Sequence, residues 1–200
     1  MIKNYIIIGL GNPGEEYDGT RHNVGRMVLD AFVKVNKLKD WQIDKKLKAL
    51  KTEIKIGKNK ALILKPETFM NKSGETVKSI ITSKKKAETL IVIHDDLDLP
   101  LGKVKISFNK SSGGHKGVES IIRAIKTEAF IRLRLGISAE TACGKIKKPQ
   151  GEEKVIDAIL GEFKKTEADE LKKVIKKSVQ SLELIIKEGQ NKAASLMGNL

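Results

Sequence analysis

Two short apolar runs, Tyr5–Gly9 and Leu90–His94, constrain the fold of this chain more than any other feature. Each is strand-sized, carries no charged side chain, and gives way to turn-forming or acidic residues. Such runs mark central strands, which need cover on both faces. The cover is written in the periodicity. Val24, Met27, Val28, Ala31, Phe32 and Val35 recur at helical spacing and predict an amphipathic helix over Thr20–Asn36. Shorter helices are expected around Val77, Ile80 and Ile81, and around Val118, Ile121, Ile122 and Ile125. Leu50–Ile56 and Ala61–Lys65 flank Gly57-Lys58-Asn59-Lys60 and read as a β-hairpin. Another strand is expected near Lys103–Ser107. Ile131, Leu133, Leu135 and Ile137 alternate with Arg132, Arg134 and Gly136, predicting a strand with one apolar and one cationic face. After a lysine-bearing loop, Thr141–Gln150, two helices are expected to close the chain, the last over Thr166–Glu188. The pattern predicts an α/β fold, a single domain over residues 1–200. Its mixed, twisted sheet would be covered by helices on both faces, in three layers.

No apolar run approaches the roughly 20 residues of a membrane span, and the N-terminal run is too short for a signal peptide. A cytoplasmic protein is therefore expected. The one cysteine, Cys143, excludes an internal disulfide framework and fits a reducing compartment. His22, His94 and His115 lie far apart in the sequence and no second thiol is present, so no metal centre is expected. Lys+Arg number 39 and Asp+Glu 25, a net charge of +14. Such a field draws polyanions, of which nucleic acid is the commonest large one. The lysine-covered C-terminal helix shows no apolar patch, which points to a monomer.

Gly9-Leu10-Gly11-Asn12-Pro13-Gly14 follows a strand and precedes a helix, as a dinucleotide fingerprint would. Three features count against that reading. Pro13 removes a backbone N–H that a pyrophosphate would use. Glu15 and Glu16 would repel phosphate, and no second parallel strand ending in an acid follows. The same residues make a rigid turn that presents polar groups at the carboxyl end of a strand, where open α/β sheets bind ligands. Asn12 can donate and accept there. His22 enters the next helix, whose dipole disfavours imidazolium and so favours the neutral form a general base needs.

Two further clusters stand at strand ends. Glu67-Thr68-Phe69-Met70-Asn71 brings a second amide beside apolar contacts, and Asp95, Asp96 and Asp98 put three carboxylates into a loop after His94. If the two apolar runs are parallel neighbours, one carboxylate can hold the Nδ1–H of His22 and strengthen Nε2 as a base towards water. The acidic cluster alone reads equally as a solvated turn or a Mg²⁺ site.

These residues together resemble the bacterial-type peptidyl-tRNA hydrolases. The resemblance runs through Gly9–Gly14 with Tyr17, Thr20-Arg21-His22-Asn23-Val24-Gly25 and Phe69-Met70-Asn71-Lys72-Ser73-Gly74. It continues through His94-Asp95-Asp96-Leu97-Asp98-Leu99-Pro100, Gly113-Gly114-His115-Lys116-Gly117 and Arg132–Ile137, in order and at similar spacing over residues 4–195. It implies hydrolysis of the ester joining a peptide, or an N-blocked aminoacyl group, to the 3′-terminal ribose of tRNA, without metal or nucleotide cofactor. Position by position it implies His22 as the base that activates water and Asp95 as the carboxylate that orients it. Asn12 and Asn71 would then position substrate and oxyanion. Tyr17, Phe69 and Met70 would wall the cleft, and His115 and Lys116 would touch substrate. Lys105 and Arg134 would meet the tRNA acceptor stem. Sparse aromatics (4%) fit duplex RNA, which is gripped by shape and phosphate rather than stacking. Two departures stand out: Lys116 occupies a common asparagine position, and Ser138-Ala139-Glu140 replaces a Gly–basic–Pro loop. The competing readings are an RNA-binding protein of this fold without turnover and a nucleotide-dependent oxidoreductase.

Overall fold

The computed structural model describes residues 2–141 and 143–198. The first half runs β1 (Asn4–Gly9), α1 (Val24–Val35), β2 (Gln42–Asp44), β3 (Ala49–Ile56), β4 (Asn59–Pro66), α2 (Gly74–Lys78) and α3 (Lys84–Ala87). The second runs β5 (Leu90–Pro100), β6 (Val104–Phe108), α4 (Lys116–Ile125), β7 (Ile131–Glu140), β8 (Ile146–Lys147), α5 (Glu152–Leu160), α6 (Ala168–Glu188) and α7 (Gln190–Gly198). One mixed sheet has the order β2-β3-β4-β1-β5-β7-β6, with β8 added to β7. Its centre, β4-β1-β5-β7, is parallel, and the flanking pairs are antiparallel.

The apolar runs explain that centre. Ile7, Ile8, Ile63, Leu64, Ile91, Val92 and Ile93 are all fully buried, because alternate side chains enter separate apolar clusters. Ile7, Ile63, Ile91 and Leu133 meet Val28, Phe32, Leu182 and Ile185 from α1 and α6. Ile8 and Val92 meet Val77, Val118 and Ile121 from α2 and α4. The expected three layers are present. No helix among the described residues is long and apolar enough to cross a membrane.

Close main-chain contact fixes how α1 sits on the sheet. A Cβ on Gly9 would lie 2.5 Å from the Gly25 carbonyl oxygen, and one on Gly25 would lie 2.6 Å from that of Ile93. Only hydrogen fits at either place.

Several sequence expectations are corrected. The acidic run is not a loop: β5 continues to Pro100, with a register shift between Asp96 and Pro100. The irregular stretch crosses above Gly136, where a Cβ would fall 1.9 Å from the Pro100 oxygen. Ser138–Glu140 is not a loop either, since it extends β7 and pairs with β8 inside the expected 141–150 loop. The helix expected from Thr20 begins at Val24, after a 3₁₀ turn at Arg21–Asn23. Three helices close the chain rather than two, because Gly189, at φ 90°, separates α6 from α7. The face expected to be cationic is partly internal: Arg132 is buried, and its Nη1 donates to the Ser111 carbonyl at 2.8 Å. Edge strand β2 was not anticipated; its side chains are largely exposed and leave no alternation to read.

Candidate active site

β1 and β5 are parallel neighbours, with Gly9 opposite Ile93, so their carboxyl ends open into one cleft. The turn after β1 carries Asn12, and the 3₁₀ turn Arg21–Asn23 carries His22. That turn is anchored from outside. The Arg21 N–H donates to the Gly161 carbonyl at 3.0 Å. The Arg21 guanidinium reaches Glu167 at 2.6 Å and the Ile137 carbonyl at 3.2 Å, lying over the Phe163 ring.

Asp95 occupies the centre and is almost fully buried. His22 Nδ1 lies 2.9 and 3.0 Å from its two oxygens. His115 Nε2 lies 2.9 Å from Oδ1. The Asp95 carbonyl accepts from His94 Nδ1 at 2.7 Å. The three histidines, distant in sequence, are therefore neighbours in space: the His115 ring centre is 4.9 Å from that of His22 and 4.8 Å from that of His94.

The tautomers follow from the partners. A carboxylate accepts only, so Nδ1 of His22 carries the proton and Nε2 is left with the lone pair. His115 is the N-cap of α4, and its Nδ1 accepts from the N–H groups of Gly117 and Val118 at 3.2 and 3.4 Å. Its Nε2 must therefore be the protonated nitrogen, donating to Asp95. His94 keeps its proton on Nδ1, so Nε2 holds a lone pair, buried and without a partner among the described residues.

Charge follows the same geometry. Burial pushes the Asp95 carboxyl up, but His22 and His115 more than offset this and hold it well below the usual carboxylate range. Burial pushes the His22 imidazole down, yet the Asp95 charge and hydrogen bond prevail, and its pKa is raised. The helix-dipole expectation thus pointed the wrong way, because a carboxylate in contact outweighs a partial charge at a helix end. His94 is held well below the ordinary histidine value, chiefly by burial.

His22, Asp95 and His115 offer ligand atoms within 4.8 Å of one another, a spacing a small cation could bridge. The tautomers fit that use poorly. A cation would need the Nε2 lone pair of His115, which would place a proton on Nδ1 against two backbone N–H donors. The cluster is built to hold protons.

Around this centre, Asn12 Oδ1 accepts the Met70 N–H at 2.8 Å, so the outward end of the amide is Nδ2. Among the described residues Nδ2 has no hydrogen-bond partner. The loop bearing Met70 is tied to α1 through Arg26, which donates to the Pro66 carbonyl and to Glu67 at 2.9 Å. Tyr17 and Phe69 meet edge to face, their ring centres 6.5 Å apart, and Phe69 is exposed. Asn71 is exposed on the Met70–Lys72 turn, and Lys116 is exposed at the start of α4.

Lys105 and Arg134 are cross-strand partners. Arg134 is one strand across from His94 and donates to Asp96 at 2.5 Å; Lys105 is exposed. The structure thus gathers His22, Asp95, Asn12, Met70 and His115 into one centre. Arg21 and Asn23 stand in the sequence only as parts of the Thr20–Gly25 motif, with no role attached, and Arg26 carries no mark, because the partners of all three lie on other elements.

Comparison with known proteins gives the family. The peptidyl-tRNA hydrolase family model matches residues 6–199. A peptidyl-tRNA hydrolase of Thermodesulfovibrio yellowstonii is 41% identical over 203 residues, covering 98% of this chain and 99% of that protein. One from Aquifex aeolicus is 42% identical over 178 residues, covering 88% and 87%. The crystal structure of peptidyl-tRNA hydrolase from Acinetobacter baumannii superposes with a TM-score of 0.84 at 27% identity, covering 96% of this chain and 93% of that one. With a family match over nearly its whole length and close relatives over the same span, the chain belongs to the peptidyl-tRNA hydrolase family.

Proposed function

We propose that this chain hydrolyses the ester between a peptide and the 3′-terminal ribose of tRNA with His22 as general base. The observation that carries this reading is the buried His22–Asp95 pair, which keeps the proton on Nδ1 and leaves the Nε2 lone pair of His22 free. His22 Nε2 takes a proton from water, and the hydroxide oxygen bonds to the ester carbonyl carbon. The carbonyl oxygen becomes an oxyanion, which Asn12 Nδ2 and the Asn71 amide stabilise. The bond from carbon to the ribose oxygen then breaks, and His22 returns the proton to that oxygen. A peptide carboxylic acid, which loses its proton to solvent, and tRNA with a free 3′-hydroxyl result. Asp95 holds the proton on Nδ1 throughout, and His115 holds Asp95. Tyr17, Phe69 and Met70 form the cleft wall, and a peptide amide bonded there distinguishes N-blocked substrates from a free ammonium.

On the tRNA side, the net charge of +14 supplies sequence-independent attraction. Lys105 and Arg134 are proposed to meet acceptor-stem phosphates, with Lys116 nearer the ester. The reading carries one domain working as a monomer in the cytoplasm, with neither membrane nor nucleotide cofactor. It is tested by release of N-acetyl-aminoacyl groups from tRNA, with unblocked aminoacyl-tRNA as control. Cleavage of the blocked ester alone is expected; binding of tRNA without release would favour the RNA-binding reading.

Two results follow from the geometry. Neutral His22 is the active form, so kcat/KM should rise with pH through a midpoint above 6.5, the ordinary histidine value, because Asp95 raises the pKa. An acid limb below 6.5 would show that Asp95 does not raise the His22 pKa, and a profile with no acid limb would remove His22 as the base. Replacing Arg134 by alanine should weaken tRNA binding and lower the slope of log affinity against log salt by about one. A salt titration with an unchanged slope would move the phosphate contact elsewhere.

A further inference from the structure

Asn23 takes part in none of the steps above, yet it is 1% exposed and both ends of its amide are spent on one residue. Its Oδ1 accepts the Asn12 N–H at 2.8 Å, and its Nδ2 donates to the Asn12 carbonyl at 2.9 Å. The approach needs space that only glycine leaves. A Cβ on Gly11 would lie 2.8 Å from Asn23 Oδ1 and 2.5 Å from Arg26 Cδ. The second glycine of the G-x-G-x-x-G pattern, which in a dinucleotide site would admit a pyrophosphate, here admits a carboxamide. Asn12 is gripped from the other side as well, where its Oδ1 takes the Met70 N–H. Main chain and side-chain oxygen are each held by a different element, and the remaining freedom of Asn12 is the direction of Nδ2.

We infer that Asn23 is a positioning residue for hydrolysis: it fixes the main chain of Asn12 so that Nδ2 stands where the oxyanion develops. This rests on the role proposed for Asn12 above. The physical ground is that a donor stabilises a transition state only when it is already aimed, and a displacement of about 1 Å can cost about 10²-fold in rate. Asn12 sits on an irregular turn with no regular ladder to hold it, so its position has to be imposed by side chains.

The test is a double-mutant cycle on release of N-acetyl-aminoacyl groups from tRNA. Asn23→Ser, too short to span both groups, should lower kcat by about 10-fold to 10²-fold. KM should stay within about twofold, since phosphate and cleft contacts are untouched. The acid limb of the pH profile should stay in place, because the His22–Asp95 pair does not involve Asn23. Combined with Asn12→Ala, the same change should lower kcat by no more than about twofold further, since no amide is left to aim. Full multiplication of the two losses, or a KM that rises as kcat falls, overturns the inference. If Asn12→Ala alone leaves kcat unchanged, the donor role of Asn12 fails first and the inference falls with it. Asn23→Asp keeps the oxygen that accepts the Asn12 N–H and loses the donor to the Asn12 carbonyl, and carries the same cycle should Asn23→Ser not fold.

Discussion

Replacing His22 by alanine should lower kcat by about 10²–10⁴-fold while tRNA affinity changes little. The side chain supplies one act, accepting a proton from water, and its loss leaves the cleft walls, the Asn12 donor and the cationic strand intact. The residue is buried against Asp95, so truncation leaves a small cavity beside a carboxylate that has lost one of its two histidine partners and keeps His115. Some stability should be lost with the activity, and a melting curve separates the two effects. The decisive comparison is kcat against KM on N-acetyl-aminoacyl-tRNA. Retention of more than about a tenth of the rate would assign the proton to another group.

Asp95→Asn should be nearly as damaging, for a reason the tautomers supply. Asparagine presents one acceptor oxygen and one N–H donor where the carboxylate presented two acceptors. His115 cannot adjust, because its Nδ1 already accepts from two backbone N–H groups at the start of α4. It keeps the oxygen, and the amide nitrogen is turned towards His22. That nitrogen stands 3.0 Å from His22 Nδ1 and draws the His22 proton to Nε2, which disarms the base, while the shared oxygen, 2.9 Å from Nδ1, holds a minor share of His22 in the working tautomer. A fall in kcat of about 10²–10⁴-fold with tRNA affinity retained is expected, as in triads whose orienting carboxylate is replaced. The remaining activity should show an acid limb displaced to lower pH, since the charge and hydrogen bond that raise the His22 pKa are gone. Binding by filter retention or fluorescence anisotropy checks the affinity. If binding collapses along with turnover, Asp95 acts on the substrate rather than on His22.

Much of this was visible in the residues. Uninterrupted apolar runs could only be central strands, and the helical spacing of Val24 to Val35 could only serve one face of the sheet. The parallel pairing of β1 and β5 then brings His22 and Asp95 together. What remained hidden depended on strand order or on exceptions to pattern. Three carboxylates in four residues contradict the composition of a strand, yet Asp95, Asp96 and Asp98 lie on one. There they are compensated by His22 and His115, by Arg134 and by Lys148 respectively. The approach of His94 and His115 requires α4 to begin above the end of β5, which no local spacing encodes. The sign of the His22 shift required a distance to Asp95, and sequence supplies helix ends but not distances. Asn23 stood in the Thr20–Gly25 motif with no role attached, because its partner Asn12 lies on another turn.

The glycine contact between α1 and the sheet has a consequence for how this enzyme can change. Gly9 and Gly25 put main chain against main chain, and the same helix begins one residue after the turn that carries His22. The gap between base and carboxylate is therefore gauged by peptide units, whose dimensions do not vary, and not by the girth of side chains. Hydrophobic residues deeper in the molecule can be exchanged, enlarged or trimmed, and the helix will tilt or slide about that point while its first turn stays pinned. Divergent members of such a family can thus drift far apart in their interiors and still hand a proton across the same distance.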